Sequence, residues 1–195
     1  MNAKIEEMRL QIMKEMDDAR YQHTLGVMYT AASMAMCHGE EVEKAMIAGI
    51  LHDCAKCIPG GTKILLCEKF HIEIMDYERM NPGLLHAKLG AFIAEKNYHI
   101  ADEDILMAIK SHTTGRPGMS LLEKIIYIAD YMEPGRKHLP NMDEVRKLAF
   151  EDIDRCLYRI LADSLTYLKS RNVAIDPMTE QTYYFYKAIM EGEHA

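Results

Sequence analysis

His52 and Asp53 stand side by side at the end of the apolar run Ala48-Gly49-Ile50-Leu51. A carboxylate carried into an apolar interior loses several kcal/mol or more of hydration unless an ion, hydrogen-bond donors or a metal replaces the water. Four other polar residues share the problem. His23 continues at helical spacing to Val27, Ala31 and Met34, and His86 to Leu89, Gly90 and Ile93. His112 follows Ile105, Ala108 and Ile109, and Asp130 follows Leu122, Ile126 and Ala129. Residues three and four apart share one helix face, so all six are expected to point inward.

A lone inward histidine is ordinarily a core residue with one hydrogen-bond partner. Four histidines and two aspartates are too many to satisfy pairwise in one small core, and metal coordination satisfies them together. Imidazole and carboxylate donors without thiolate suit Fe, Mn, Co, Zn or Ni better than Cu(I) or an iron–sulfur cluster. Six donors exceed what one tetrahedral zinc needs and suit two divalent ions bridged by a carboxylate. Asp53 is the natural bridge, with His52 on one ion and the second carboxylate oxygen on the other. The remaining histidines, His38, His71, His99, His138 and His194, fall in turns, loops or the tail and read as ordinary surface residues. Cys54-Ala-Lys-Cys57 lacks the two further ligands of a zinc site and the preceding strand of a redox motif, so both cysteines read as packing residues.

The elements that must position these groups are helical. Stripes at i, i+3, i+4 and i+7 recur and alternation is scarce. Helices are expected near 3–17, 18–37, 41–56, 62–69, 71–79, 83–97, 102–113, 119–132, 142–171 and 179–191, with Gly and Pro clusters between them. The sixteen methionines fall mostly on the stripes and are expected in the core. The terminal segments 3–17 and 179–191, the latter with Tyr183, Tyr184, Phe185 and Tyr186, are expected to pack on the core or on a second chain as a homodimer.

A chain of 195 residues suits one domain with a real core, and 49% apolar composition argues against disorder. No apolar run reaches the roughly 20 residues of a membrane helix, and the mixed-charge N-terminus is not a signal peptide. A net charge of −7 argues against nucleic acid as a partner, since that affinity rests on cations against phosphates. Five cysteines without a secretory signal argue against a disulfide framework. A cytoplasmic protein is expected.

The order His23, His52-Asp53, His86, His112, Asp130 resembles the HD-domain metal-dependent phosphohydrolases, marked by an adjacent His-Asp pair, an upstream His and a downstream Asp on helices. The segments RYQHTLGV (20–27), AGILHDCAK (48–56), PGLLHAKLGA (82–91), AIKSHTTG (108–115) and LLEKIIYIADYMEPGR (121–136) together resemble the symmetrical bis(5′-nucleosyl)-tetraphosphatase family, over roughly residues 18–172. One departure is KHLPNMDEVR after Arg136, where a Phe and a Gly-Val-like pair are usual; it bears on one wall of the substrate pocket.

The resemblance implies an all-α, single-domain HD bundle over residues 1–195. It implies two divalent ions, associated with iron, one held by His23, His52, Asp53 and Asp130 and the other by Asp53, His86 and His112. His52, Asp53 and Lys56 would carry the catalysis, a hydroxide between the ions attacking an inner phosphorus of diadenosine tetraphosphate to release two ADP. Arg20, Lys56, Thr113, Thr114 and Arg136 lie beside the ligands in sequence and are the candidate phosphate clamps. Arg116 is a weaker candidate, and Glu133 would orient a ligand or a clamp rather than bind metal. Three alternatives stay open at this level: an HD hydrolase of a nucleoside triphosphate, cyclic dinucleotide or alarmone; a nucleotide-binding regulator with little turnover; and a purely structural helical module.

Overall fold

A computed structural model describes residues 2–137, 139, 141–171 and 175–192. The order is α1 (Ala3–Glu15), α2 (Asp18–His38), α3 (Val42–Leu51), α4 (Gly60–Lys69), α5 (Asp76–Met80), a 3₁₀ turn (Pro82–Leu84), α6 (Leu85–Asn97), α7 (Glu103–Ser111), α8 (Leu121–Met132), α9 (Met142–Glu151), α10 (Ile153–Ser170) and α11 (Pro177–Met190). No strand occurs among the described residues. The architecture is the all-α bundle expected.

Local signals set the helices that matter most. Asp17 starts α2 by accepting from Arg20 N at 2.8 Å, and Gly39 ends it at φ 79°, a conformation that favours glycine. Ser120 and Glu123 form a reciprocal capping box at the start of α8. Helices α2, α3, α7 and α8 carry much of the main core, including Val27, Met28, Ile50, Ile109 and Ile126. Each such buried side chain contributes about 1.5–3 kcal/mol relative to exposure. The α2–α3 approach is close because Gly49 lacks a Cβ; one built there would lie 2.8 Å from Met28 Cα. A smaller cluster of Ala55, Cys67, Leu85 and Leu89 ties α4 and α6 to the segment after α3.

Several boundaries differ from the sequence expectation. The segment 142–171 is two helices, because Asp152 leaves helical geometry at φ −150° and caps Arg155 N at 3.0 Å. Helix 41–56 ends at Leu51 and continues as tight turns, with Cys54 N donating to Leu51 O and Lys56 N to Asp53 O. Helix 102–113 likewise ends at Ser111. In place of the helix expected over 71–79 there is only Asp76–Met80, since His71 takes φ 56° and breaks the turn. His99 is also left-handed, at φ 54°, and His38 bonds to Ala149 O at 2.7 Å. His138 and His194 lie outside the described residues.

The methionines divide rather than filling the core. Met8, Met28, Met34, Met119, Met132 and Met142 are buried, whereas Met36 and Met80 are among the most exposed apolar side chains. Both terminal helices pack on this chain: α1 buries Ile5, Met8 and Ile12, and α11 buries Tyr186, whose hydroxyl accepts from Met119 N at 3.0 Å. All five cysteines are free; Cys54 packs in the core as expected, whereas Cys57 is exposed and does not.

Candidate metal centre

Two of the inward groups sit at helix ends, not inside helices. His52 is the C-terminal cap of α3 and His112 that of α7. Asp53 follows in the tight turns, where residues three apart nearly eclipse. Lys56 therefore lies over Asp53, with Nζ 3.7 Å from Oδ1. His23 comes from α2, His86 from the first turn of α6 and Asp130 from α8. The structure brings all six groups together.

Three of the imidazoles are held alike. His52 Nδ1 donates to Gly49 O (2.7 Å), His86 Nδ1 to Gly83 O (2.6 Å) and His112 Nδ1 to Ile109 O (2.7 Å). A carbonyl only accepts, so Nδ1 carries the proton and, in the neutral ring, Nε2 presents a lone pair. His23 uses a carboxylate instead: its Nδ1 lies 3.0 Å from Glu133 Oε1.

The two oxygens of Asp53 face different groups. Oδ2 is 3.5 Å from His52 Nε2 and 4.0 Å from His23 Nε2, and His23 Nε2 is 3.0 Å from Asp130 Oδ1. Oδ1 is 3.3 Å from His86 Nε2 and 3.6 Å from His112 Nε2. Ligand atoms of His23, His52 and Asp130 lie within 4.8 Å of one another, as do those of His52, Asp53 and His112.

Electrostatics favour this donor set in its ligand form. Burial pushes the Asp53 carboxyl upward, but the imidazoles of His52, His112 and His86 gathered around it outweigh that, and the group is held far below the usual carboxylate range. Asp130 behaves similarly: burial raises it, while His23, His52 and Arg136 hold it well down. Burial drives His86 to about 4, against the pull of Asp53, so its ring is neutral at neutral pH.

The residues fit a bound metal. Among the described residues, buried side-chain nitrogen or oxygen atoms without a hydrogen-bond partner include His23 Nε2, His52 Nε2 and Asp53 Oδ1, all in this cluster. His86 Nε2 and His112 Nε2 stand 3.0 Å apart, with Lys56 Nζ 3.1 Å from the former and Thr113 Oγ1 3.2 Å from the latter, so their lone pairs converge as two ligands of one cation would. Buried polar atoms without partners are costly, and coordination removes that cost.

The clamp candidates gather around the same cluster, with two exceptions, Thr114 and Arg116. Arg20 reaches Asp53 Oδ2 at 2.7 Å, Lys56 Nζ lies 3.1 Å from His86 Nε2, and Arg136 pairs with the Asp130 carboxylate. Thr113 Oγ1 is 3.2 Å from His112 Nε2 and 3.3 Å from His86 Nε2. Thr114 instead donates to Gly115 O at 3.0 Å. Arg116 is committed to Glu123 through two bonds of 2.7 and 2.6 Å, which explains why it takes no part in the cluster. The segment after Arg136 forms a wall, as Lys137, Leu139 and Met142 line a cleft with Lys56 and Asp130.

Sequence reasoning missed how Glu133 is kept in place. Its carboxylate is buried, accepts from Gly135 N and occupies the space a side chain at position 26 would fill: a Cβ on Gly26 would collide with Glu133 Oε2. The available signal was a glycine in mid-helix, three residues after His23. Glu133→Ala is expected to weaken metal binding about 10- to 100-fold, the usual effect of removing a carboxylate behind a ligating histidine. Gly26→Ala should act in the same direction with the carboxylate present but displaced. Titration against a competing chelator checks both; unchanged affinity in both variants would remove Glu133 from the centre.

An all-helical bundle that gathers an adjacent His-Asp pair with further His and Asp groups defines a class, and the chain belongs to it: the HD domain family, whose model matches residues 20–135. Within that class, it is 42% identical over 174 residues to the symmetrical bis(5′-nucleosyl)-tetraphosphatase of Bacillus subtilis, covering 88% of this chain and 91% of that one. It is 33% identical over 175 residues to the protein of the same name from Staphylococcus aureus, covering 88% of each. The crystal structure of an HD superfamily hydrolase from Clostridium acetobutylicum, described as involved in NAD metabolism, superposes with a TM-score of 0.91 at 41% identity, covering 94% of this chain and 97% of that one.

Proposed function

We propose that the protein hydrolyses diadenosine tetraphosphate symmetrically, with water, to two ADP. The observation that carries this reading is Asp53, whose two oxygens face two separate groups of histidines. The relatives' shared name supports the substrate and the symmetry of cleavage. In this reading His23, His52, Asp53 and Asp130 hold one divalent ion, and Asp53, His86 and His112 hold a second. Iron is the first candidate, and the same donors suit Mn, Co, Zn or Ni. Bound there, the ions supply a water of lowered pKa and neutralise charge on the phosphates.

The chain's own residues do the rest. The carbonyl-bonded Nδ1 atoms fix the imidazoles so that no reorientation accompanies the reaction. Arg20, Lys56 and Arg136 give an acidic protein a local cationic rim for a polyanion, and Thr113 offers a hydroxyl at the second histidine group. A bond forms from the water oxygen to one inner phosphorus, the central phosphoanhydride bridge breaks, and the ADP leaving group departs against these cations. No helix among the described residues is long and apolar enough to cross a membrane. The reading calls for a cytoplasmic enzyme with a small nucleotide substrate, and neither nucleic acid nor a membrane as partner.

Hydrolysis in ¹⁸O-labelled water tests the chemistry. One oxygen enters per molecule cleaved, so half of the ADP is expected to carry a single ¹⁸O. Label in ATP or AMP would instead indicate asymmetric attack and reject the reading.

A further inference from the structure

A second cleft of about 410 Å³ opens beside the ligand groups, and Thr113 lines both it and the cationic cleft over His112 and Asp130. The two differ in character. The cationic cleft carries Lys56, Arg136 and Lys137 and suits phosphates. The second also holds Lys88, Lys110 and Arg116, the first and last paired with Glu78 and Glu123, and its apolar walls are Met75 and Tyr77 near and on α5, Leu84 and Ala87 around the start of α6, Met107 of α7 and Met178 of α11. Its volume lies within the range of small-ligand sites, roughly 300–1,000 Å³. Thioether and phenol surfaces of this kind pack against flat aromatic rings.

The cleft is also held in shape. Asp176 is buried, accepts from Met178 N at 2.8 Å and lines the cleft with Tyr77, whose hydroxyl is pushed up to about 12 by burial and by the Asp176 charge beside it, so one carboxylate stands between the α5 wall and the α11 wall. The third hollow beside the cluster, next to Gly26 and Glu133, is lined by Gln22, Thr30 and Ser33 together with Leu25, Tyr29 and Pro134. It has fewer large apolar side chains than the cleft on α5, α7 and α11.

We propose that the cleft between α5, α7 and α11 seats the purine base of one nucleoside of the dinucleotide, with Thr113 at the point where its phosphates pass to the ligand groups. This rests on the function proposed above. A base anchored here sets which phosphate linkage lies over the histidines.

Photolabelling tests it on the intact, metal-loaded protein. Irradiation with 8-azido-ADP should mark peptides containing Met75, Tyr77 or Met178, and excess ADP should suppress the label. Met107→Trp, which fills the floor, is expected to raise the Kd for ADP at least tenfold, and Met178→Ala, at a partly exposed position, about threefold. Both should leave pyrophosphate affinity and metal content unchanged. Label confined to residues 127–142 or 19–33, or ADP affinity unchanged in both variants, would overturn the proposal. If the wild-type protein cleaves diadenosine tetraphosphate to ADP while the label lies elsewhere, the cleft assignment alone falls. If it neither cleaves the dinucleotide nor binds ADP, the proposed function falls with it.

Discussion

Asp53→Ala should abolish hydrolysis, with a loss of at least about 10³-fold in kcat, the scale on which preorganised charge stabilisation acts, and it should lower the bound metal. The argument is geometric. Asp53 is the residue that faces both histidine groups, so its loss leaves neither with a full donor set. His52→Ala should act similarly through the first group. The helical fold should survive. Asp53 lies beyond α3 rather than in the apolar core, and the cations it faces, Arg20 and Lys56, retain 28% and 37% of their side-chain exposure and can rehydrate. Circular dichroism and metal analysis accompany the kinetics. Wild-type turnover at matched metal loading in either variant would break the ligand assignment.

Metal removal should produce the second large effect. Chelation is expected to abolish turnover and to lower Tm, and readdition of Fe(II) without oxygen should restore both. A ligand that binds only the folded state at 100 times its Kd adds about 2.7 kcal/mol, and one kcal/mol moves Tm by about 2–4 °C for a domain near this size, so a shift of roughly 5–10 °C is expected. The buried atoms without partners, His23 Nε2, His52 Nε2 and Asp53 Oδ1, give the effect its sign, because the metal-free protein carries their cost unrelieved. A differential scan with and without chelator reads it. An unchanged Tm with metal loss verified would mean that these atoms are satisfied in some other way.

Much of this was legible in the sequence because helical periodicity reports facing directly. His23, His86 and Asp130 stand on helices with apolar neighbours three and four residues away, and the structure turns them inward. The same rule located His52 and His112, but it could not tell a helix interior from a helix end. Both residues are caps, and the tight turns after Leu51 are what set Lys56 over Asp53. Asp152 shows the opposite failure: the apolar stripe runs from Val145 to Leu168 without a gap, and only the capping of Arg155 N by Asp152 splits it. Contacts between distant segments leave no periodic trace. Glu133 meets His23 across 110 positions, and Asp176 meets Tyr77 across a span as unmarked. The commitment of Arg116 to Glu123 was equally hidden, although the two are seven residues apart, because Gly118 and the start of α8 intervene.

The most direct test of the central claim is product analysis. Anaerobic Fe(II)-loaded protein is incubated with diadenosine tetraphosphate and the nucleotides are resolved by chromatography. The account predicts ADP as the sole product, at two per substrate consumed, with formation lost on chelation. ATP with AMP, or full activity in the presence of chelator and verified absence of metal, would contradict it.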